Sequence, residues 1–370
     1  MSTIRVNSIQ HTTANSGNMI LHANGNVSML TANSTLFIGN TSISNAGISV
    51  SGSTISPFGG MRNRIINGAM VIDQRNSGAT GTASQITVDR WWYLGSQVSK
   101  GTWGQNLNSV TPPAGFSKYL GWQTGASAYS LAAADYFCFY QVIEGNNFYD
   151  LDFGKSTAKT LTLSFWVRSS LTGQFGGCLD NNDESRVFPF SYTINSANTW
   201  EYKTITIPGD ITGTWAGATN AAAGFVLFSL GVGSNQTGPS GAWTSASTYI
   251  NSTGSTSVVG SANATWYVTG VQLEAGSTAS PFEFRQYGTE LALCQRYFQK
   301  NTSGDIPFGA QAVTSYMWWA FPVRMRAAPT FTDGGTGRQS GTTSMTEGLY
   351  FYYSGSYAVI GNNSTWSAEF

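Results

Sequence analysis

The sequence predicts an all-β protein, and three features of its composition support this prediction. Glycine accounts for 43 of the 370 residues, which favours tight turns over helices. Aromatic residues make up 14% of the chain, whereas disordered chains are poor in them. Only 10% of the residues are charged, and short apolar runs alternate with clusters of Gly, Ser, Thr and Asn. For a chain of this length we expect two or three folded units built from short strands.

The first 57 residues form a segment of their own. They hold one charged residue, Arg5, and both histidines, His11 and His22. The apolar triplets "MIL", "LFI" and "ISV" alternate with polar turns such as "NGN". Because each triplet is too short to bury a core, we predict a thin β-ribbon that becomes stable when copies associate in a cyclic oligomer. A flexible polar leader is the alternative interpretation.

Strand patterns recur from the hinge "SPFGGMRN" to about residue 286. Side chains alternate between the two faces of a strand. The run "KTLTLSFWVRSS" therefore has an apolar face made of Leu161, Leu163, Phe165 and Val167. Its opposite face carries Thr162, Ser164, Trp166 and Arg168.

Four other runs complete the sandwich. "QITVDRWWYL" is predicted as one strand that places Ile86, Val88, Trp92 and Leu94 on a single face. "GFVLFSLGVG" is apolar on both faces, which is typical of a central strand. Together with "WEYKTITIPGD" and "TWYVTGVQLEAG", these runs predict a two-sheet β-sandwich.

A short helix is predicted after the last of these strands. Gly288 interrupts the chain, Thr289 is a suitable cap, and one apolar stripe holds Leu291, Cys294, Tyr297 and Phe298. A helix of this length is unstable alone, so it must pack on the sandwich edge, the next domain or a sister chain. Residues 299–370 are strand-like and rich in aromatics, and Pro322 and Pro329 restrict their neighbours to strand ends. They predict a small β domain.

Charge and apolar patterns exclude several classes of partner. Lys and Arg number 18, as do Asp and Glu, so no basic field attracts nucleic acid. No run approaches about 18 apolar residues, so we expect no membrane insertion. The N-terminus lacks the apolar core of a secretory signal, which predicts synthesis in a cytoplasm.

The three cysteines, Cys138, Cys178 and Cys294, are widely spaced, which argues against a disulfide framework or a thiolate zinc site. We expect them to act as small apolar residues.

The carboxylates offer little support for catalysis. The only histidines lie in the thin ribbon, which argues against a Ser-His-acid triad. Asp150 and Asp152 would share a strand face about 7 Å apart, within the range of a glycoside hydrolase pair. We interpret them as ordinary surface acids and predict no catalytic residue and no cofactor. The cluster "DNNDE" offers oxygen ligands for Ca²⁺ but does not match the calcium-loop pattern, so no metal is predicted.

Aromatic side chains are the best candidates for binding, because the C–H face of a pyranose packs on a flat ring. Trp166 fits best, since it lies on the polar face of its strand two positions from Arg168. Trp103 and Trp122 are candidate loop platforms, as are Trp215 and Trp243. In the C-terminal region a recognition surface is predicted for Trp318, Trp319, Tyr350 and Tyr352. The alternative for all of these residues is a place in the core or in a protomer interface.

Several stretches together resemble a jelly-roll module of bacteriophage tail-fibre proteins, which is itself similar to carbohydrate-binding modules. They are "NRIINGAMVIDQRNSG", "LTLSFWVRSS", "TWEYKTITIPGD" and "WYVTGVQLEAGSTASPFEFRQYGTELALCQRYF", and they cover about residues 62–298. The opening "MSTIRVNSIQ" and the later "FPVRMRAAPT" are also similar to phage fibres. The resemblance implies a homotrimeric virion appendage that attaches through its N-terminus to other tail or baseplate proteins and contacts the host with distal β-domains.

The expected organisation has four parts: an attachment and trimerisation segment (1–57), a carbohydrate-binding-like jelly roll (58–286), a connecting helix (287–298) and a β tip (299–370). The expected function is that of a receptor-binding tail fibre, located in the virion, which adsorbs the phage to host surface polysaccharide without catalysis. Two alternatives stay open. One is a structural head, neck or tail fibre without a ligand, and the other is a polysaccharide depolymerase fibre.

Overall fold

The computed structural model describes residues 61–302, 304, 306–309, 315–334, 341–353 and 357–370, with seven short strands in the first 60 residues. Side chains are described for residues 61–302, 304, 318–334, 342–349 and 360–370. The chain divides into two compact units, Met1–Met61 and Arg62–Phe370. His11 and His22 lie outside the described residues.

The first unit contains two small antiparallel sheets. The three-stranded sheet consists of β1 (Ser8–Ile9), β2 (Met19–Leu21) and β3 (Val27–Met29). The four-stranded sheet consists of β4 (Leu36–Ile38), β5 (Thr41–Ser44), β6 (Gly47–Val50) and β7 (Ser53–Ile55). The predicted apolar triplets coincide with strands β2, β4 and β6. Association of this unit with other copies stays a prediction.

The second unit contains the predicted two-sheet sandwich. Its five-stranded sheet has the spatial order β10 (Gly101–Gln105), β11 (Leu120–Thr124), β20 (Thr265–Ala275), β13 (Leu161–Ser169) and β16 (Glu201–Ile207). The six-stranded sheet has the order β15 (Val187–Ile194), β14 (Gly173–Asn181), β17 (Ala222–Val232), β12 (Tyr136–Glu144), β9 (Trp92–Gly95) and β8 (Gln85–Ile86). All pairings in both sheets are antiparallel. The predicted all-β class is confirmed.

The core lies between the two sheets and follows the predicted alternation of β13. The residues Leu161, Leu163, Phe165 and Val167 have no exposed surface. From the facing sheet Phe228 packs its ring 4.9 Å from that of Phe165 and 5.7 Å from that of Trp266. Burying each such side chain stabilises the fold by about 1.5–3 kcal/mol. The central position of β17, which is buried along most of its length, also agrees with its two apolar faces.

The run at 85–94 is not the single strand that its alternation predicts. It forms β8 and β9 with a turn between them, in which Arg90 has a φ of 73°. Since the turn changes the phase of the alternation, Tyr93 is buried in the sandwich core, whereas Trp92 stacks on Tyr140 at the outer face of the sheet. The predicted common face of Ile86, Val88, Trp92 and Leu94 is therefore wrong.

A second apolar cluster covers the outer face of the six-stranded sheet. It contains Cys138, Cys178, Val187 and Leu227, and Ile250 packs against it. Ile250 belongs to a segment that holds a short parallel pair, β18 (Thr237–Gly238) and β19 (Asn251–Ser252). All three cysteines are buried and free, as predicted. Burial raises the pKa of the Cys138 thiol to about 12, so this thiol stays protonated at neutral pH.

The predicted helix is α1 (Tyr287–Gln295), and it packs on the sandwich of its own chain. It begins before Thr289, so this residue is not its cap, and Phe298 belongs to the next strand. The apolar contacts of the helix region come from Cys294 and Tyr297, which cluster with Ile66 and Ile72. Of the three partners considered for this helix, the structure shows two, the sandwich edge and the C-terminal region, since Phe370 packs in the same cluster; contact with a sister chain stays a prediction. Within the described residues, no helix combines the length and the apolarity needed to cross a membrane.

The C-terminal residues form three small antiparallel sheets. The first contains β21 (Phe298–Lys300), β28 (Thr365–Ser367) and β24 (Thr330–Thr332). The second contains β22 (Ile306–Gly309) and β27 (Tyr357–Ile360), and the third contains β23 (Ser315–Ala320), β26 (Gly348–Tyr353) and β25 (Gly341–Ser344). As expected, both Pro322 and Pro329 lie just outside strands.

The last residues of the chain return to the sandwich. The amide of Ala368 donates to the carbonyl of Tyr297 at 2.8 Å. The Glu369 carboxylate contacts the guanidinium groups of Arg75 and Arg90, and Arg90 has only 1% of its side chain exposed. The Phe370 ring lies 6.0 Å from the Tyr297 ring. These contacts tie the C-terminal sheets and the sandwich into one compact unit.

Candidate functional site

The outer face of the five-stranded sheet carries aromatic side chains that the core does not use. Since Phe165 and Val167 face the core, alternation directs Trp166 outward. Tyr202 of β16 pairs with Trp166 in the ladder, and their ring centroids are 5.4 Å apart. Tyr202 is 43% exposed and Trp166 is half-buried, so both rings border solvent.

A β-bulge brings a third ring against Trp166. The register between β13 and β20 shifts between Ser164 and Trp166, and Gly270 on β20 has a φ of 63°. A methyl group at position 270 would lie 2.6 Å from Cζ of Phe116 and 3.2 Å from Cδ1 of Trp166. Glycine is therefore required at position 270 for two reasons: it adopts the left-handed backbone conformation, and it leaves the space that the two rings occupy.

Two more phenylalanines extend this surface. Phe282 and Phe284 follow β20, and each ring lies 5.2 Å from the Phe116 ring. Their own centroids are 4.8 Å apart, and Phe284 is 60% exposed. We call the surface formed by Tyr202, Trp166, Phe116, Phe282 and Phe284 the aromatic band. Its rings come from four separate parts of the chain, which only the folded sheet brings together.

A pocket of about 180 Å³ opens at the phenylalanine end of the band. We call it the Phe pocket. Its apolar walls are Phe116, Phe282, Phe284, Ala69 and Val71. Its polar lining includes Ser117, Arg285 and Glu290.

The charges at the Phe pocket are largely compensated. Only 6% of the Arg285 side chain is exposed, and its guanidinium lies 3.2 Å from the Glu283 carboxylate and 3.4 Å from that of Glu290. Glu283 also accepts the backbone amides of Arg62 and Asn63, each at 3.0 Å. Nε of Arg285 is buried and has no hydrogen-bond partner. Arg285 is thus paired with two carboxylates, of which that of Glu290 lines the pocket.

Arg168 lies beside the band on the same outer face, as the alternation predicts. Its Nε donates to the carbonyl of Asn198 at 3.0 Å, and its guanidinium carbon is 5.9 Å from the Tyr267 ring. These contacts hold the loop that precedes β16. They also orient the guanidinium along the sheet, two positions from Trp166.

The prediction that Trp103 and Trp122 are loop platforms is wrong. They lie on β10 and β11, pair directly in the ladder, and are 1% and 0% exposed. The indole N–H of Trp103 donates to the carbonyl of Ala83 at 2.9 Å, and that of Trp122 donates to Oγ1 of Thr124 at 3.1 Å. The polar residues around them belong to the outward positions of strands, so the indoles point into the core.

Trp215 and Trp243 are packing residues as well. Both are half-buried against the sandwich core, with ring centroids 5.6 Å apart. Trp215 stacks on Phe148 at 5.2 Å. The two indole N–H groups donate to Asp210 at 3.1 Å and to the carbonyl of Pro208 at 2.7 Å. Both rings are engaged in packing, and their use as platforms stays a prediction.

The C-terminal candidates are only partly described. Trp318 is 40% exposed, and its ring covers Gly348, where a methyl group would lie 2.5 Å from the indole. Trp319 is half-buried against the small C-terminal core. Tyr350 pairs with Trp318 in the ladder, and Tyr352 pairs with the residue at position 316. The side chains of both tyrosines lie outside the described residues.

The carboxylate pair considered for glycoside hydrolysis does not form. Asp150 lies in a 3₁₀ turn, and its two oxygens accept from Arg64 at 2.9 and 2.7 Å. Asp152 has a φ of 59° and accepts from Lys155 at 2.8 Å. The predicted shared strand face is wrong, because this segment is a turn. Each carboxylate is engaged with a cation of its own.

Strand β14 holds a buried carboxyl that the sequence pattern does not indicate. Asp180 has no exposed surface, and neither of its oxygens has a hydrogen-bond partner. Burial raises its pKa to about 8, and the nearby Glu184 carboxylate adds to the effect. In the neighbouring "DNNDE" loop, Asp183 accepts from the Ser185 hydroxyl at 2.7 Å. Among the described residues, no three His, Cys, Asp or Glu side chains are arranged to hold a metal ion.

Sequence reasoning found Trp166 but missed the three phenylalanines. A signal was present in "TPPAGFSK" and "SPFEFR", where phenylalanine stands within Pro- and Gly-containing turns rather than in a strand pattern. Nothing in the sequence indicated that these two turns meet.

Comparisons with known proteins give distant likenesses only. No family model and no curated protein matches the chain. Among solved structures, the enzymatically active domain of tailspike protein 4 of bacteriophage CBA120 has 12% identity and a TM-score of 0.32, covering 63% of this chain and 23% of that one. A CBM4 module has 16% identity and a TM-score of 0.28, covering 57% of this chain and 98% of the module. The family 11 carbohydrate-binding module of the Clostridium thermocellum cellulase Lic26A-Cel5E has 11% identity and a TM-score of 0.28, covering 55% of this chain and 98% of the module. These values do not assign the chain to a family.

Proposed function

We propose that this chain is a non-catalytic glycan-binding protein and that its aromatic band holds the glycan. The observation that carries the proposal is the position of Trp166 and Tyr202, whose neighbouring rings lie on the outer face of the sheet instead of in the core. The C–H face of a pyranose packs on such rings. Hydroxyl groups of the same sugar need polar partners, which Arg168 and the threonines at the outward positions of β16 supply.

The low charge of the chain supports a glycan partner. Charged residues make up 10% of the sequence with no net charge, and a neutral polysaccharide needs no complementary field. A binding role also agrees with the carboxylates near the band, because Glu283 and Glu290 are both engaged with Arg285. A carboxylate held this way is a poor proton donor or nucleophile.

The biological setting is a further part of this proposal. We place the protein in a phage virion, as a homotrimeric fibre that binds host surface polysaccharide during adsorption and attaches to other tail proteins through its first unit. Short strands in that unit and the sequence resemblance to phage fibres support this placement. Linking three weak sites in one fibre raises avidity by about 10²–10⁴ without any new contact.

The test is a glycan array probed with the fluorescent full-length protein and two variants, Trp166→Ala and Tyr202→Ala. Losing one stacked ring is expected to weaken binding about tenfold or more. Trp92→Ala is the matched control, because Trp92 is a half-buried tryptophan that stacks on Tyr140 at the outer face of the other sheet.

Unchanged binding by Trp166→Ala, or equal loss with Trp92→Ala, would contradict the assignment to the aromatic band. Binding to no glycan would favour the structural fibre. A fall in polymer size after incubation with host polysaccharide would reveal a depolymerase.

A further inference from the structure

The Phe pocket has the size and lining of a site for a small apolar substituent. Its volume of about 180 Å³ exceeds that of an apolar cavity of about 150 Å³ that holds a benzene molecule. Phenylalanine rings from two turns form its walls together with Ala69 and Val71. It adjoins Trp166, because Phe116 meets that ring over Gly270. A sugar ring lying on Trp166 can therefore direct a substituent into the pocket.

The polar lining restricts the kind of substituent. Arg285 is already shared between Glu283 and Glu290, so a third anion would meet two carboxylates and one cation. The carboxylate of an acidic sugar is therefore disfavoured. At the same time the hydroxyl of Ser117, which lines the pocket, can donate a hydrogen bond to a neutral acceptor. A neutral group that combines a methyl with an acceptor oxygen meets both conditions.

We infer that the Phe pocket binds the acetamido group of an N-acetylated hexosamine residue whose ring stacks on Trp166. The methyl packs among the phenylalanines, and the carbonyl oxygen accepts from the Ser117 hydroxyl, which lines the pocket. A 6-deoxy sugar supplies the methyl without the acceptor, and a plain hexose supplies neither. This inference rests on the proposed function and narrows it to one class of glycan.

The experiment compares two trisaccharides with the same β-1,4 backbone, N,N′,N″-triacetylchitotriose and cellotriose, which differ in their acetamido groups. Isothermal titration of the full-length protein is expected to show at least a tenfold preference for the acetylated sugar, as one methyl in an apolar pocket provides. Phe282→Ala is expected to bring the two affinities together. Trp166→Ala is expected to weaken both and to keep their ratio.

A second variant covers the case in which Phe282→Ala does not fold. Ala69→Leu narrows the pocket from another wall and is expected to remove the preference in the same way. Equal affinities of the unaltered protein for the two sugars would overturn the inference and leave the proposed function intact. Binding to neither trisaccharide, with a positive glycan array, would overturn it too. If the glycan array is also negative, both the inference and the proposed glycan-binding function are contradicted.

Discussion

Replacing Asp180 by asparagine is expected to remove a large part of the pH dependence of stability. Asp180 is fully buried without a hydrogen-bond partner, and burial raises its pKa from 3.8 to about 8. The folded protein therefore keeps a proton that the unfolded chain releases. Since the unfolded state binds fewer protons between these two pKa values, the free energy of unfolding falls as the pH rises through this range.

The size of the effect follows from the linkage relation. Each pH unit between the two pKa values lowers the stability of the unaltered protein by about 1.4 kcal/mol relative to a neutral isostere. Asp180→Asn has no carboxyl to titrate at this position. Its advantage over the unaltered protein is therefore expected to grow by about 3 kcal/mol between pH 5 and pH 7. Asp89 is also buried with a raised pKa, but it is present in both proteins and cancels in the difference.

The assay is urea unfolding of both proteins at pH 5, 6 and 7, followed by tryptophan fluorescence. Asp210→Asn is a control whose stability difference from the unaltered protein should not change between pH 5 and 7, because the Asp210 carboxyl titrates below this range. Burial would raise the pKa of Asp210, but hydrogen bonds from Arg186 and Trp215 outweigh it and hold the pKa below its ordinary value. The Asp210 carboxylate therefore contributes to the free energy of unfolding at neutral pH, and this contribution is lost as the pH falls through the pKa of Asp210 in the folded protein. If the stability curves of Asp180→Asn and the unaltered protein run parallel from pH 5 to 7, the reasoning is refuted.

Two further substitutions test the geometry of the fold. Gly270→Ala is expected to lower the free energy of unfolding by about 1 kcal/mol or more and to weaken glycan binding, because alanine must adopt the left-handed conformation and its methyl displaces two rings. Gly241→Ala is the control. Gly241 has a φ of 90° and no atom within 4 Å, so this substitution introduces the backbone strain without displacing a ring. Equal binding by these two variants would show that the rings near position 270 are irrelevant to the glycan. Glu369→Gln is expected to cost about 3 kcal/mol in urea unfolding, because it leaves the buried Arg90 and the half-buried Arg75 without this counter-ion. For the exposed pair of Arg324 and Glu347, Glu347→Gln should cost less than about 1 kcal/mol, and a similar cost for both would contradict a special role of burial.

The strand β13 shows how far sequence periodicity reaches. Its four apolar positions are all buried, and Trp166 and Arg168 lie on the opposite face, as the alternation predicts. The period of a strand is a local property of the backbone, so the sequence alone determines which side chains share a face. The same rule failed at 85–94, because a turn with a left-handed Arg90 lies inside the run. Its conformation depends on contacts with other segments, such as the Asn67 amide that donates to the Asp89 carbonyl at 2.9 Å.

The sequence by itself determined the all-β class, the sandwich, the presence of a helix near residue 290 and an outward tryptophan at 166. Only the tertiary structure decided which aromatics are core and which are surface. Trp103 and Trp166 occur in similar polar surroundings, but the face that a strand buries depends on its partner sheet. Likewise, Phe116 and Phe282 are more than 160 positions apart, and their rings meet only in the folded protein. Composition and period are local properties of a chain, whereas a binding surface is a contact between distant segments.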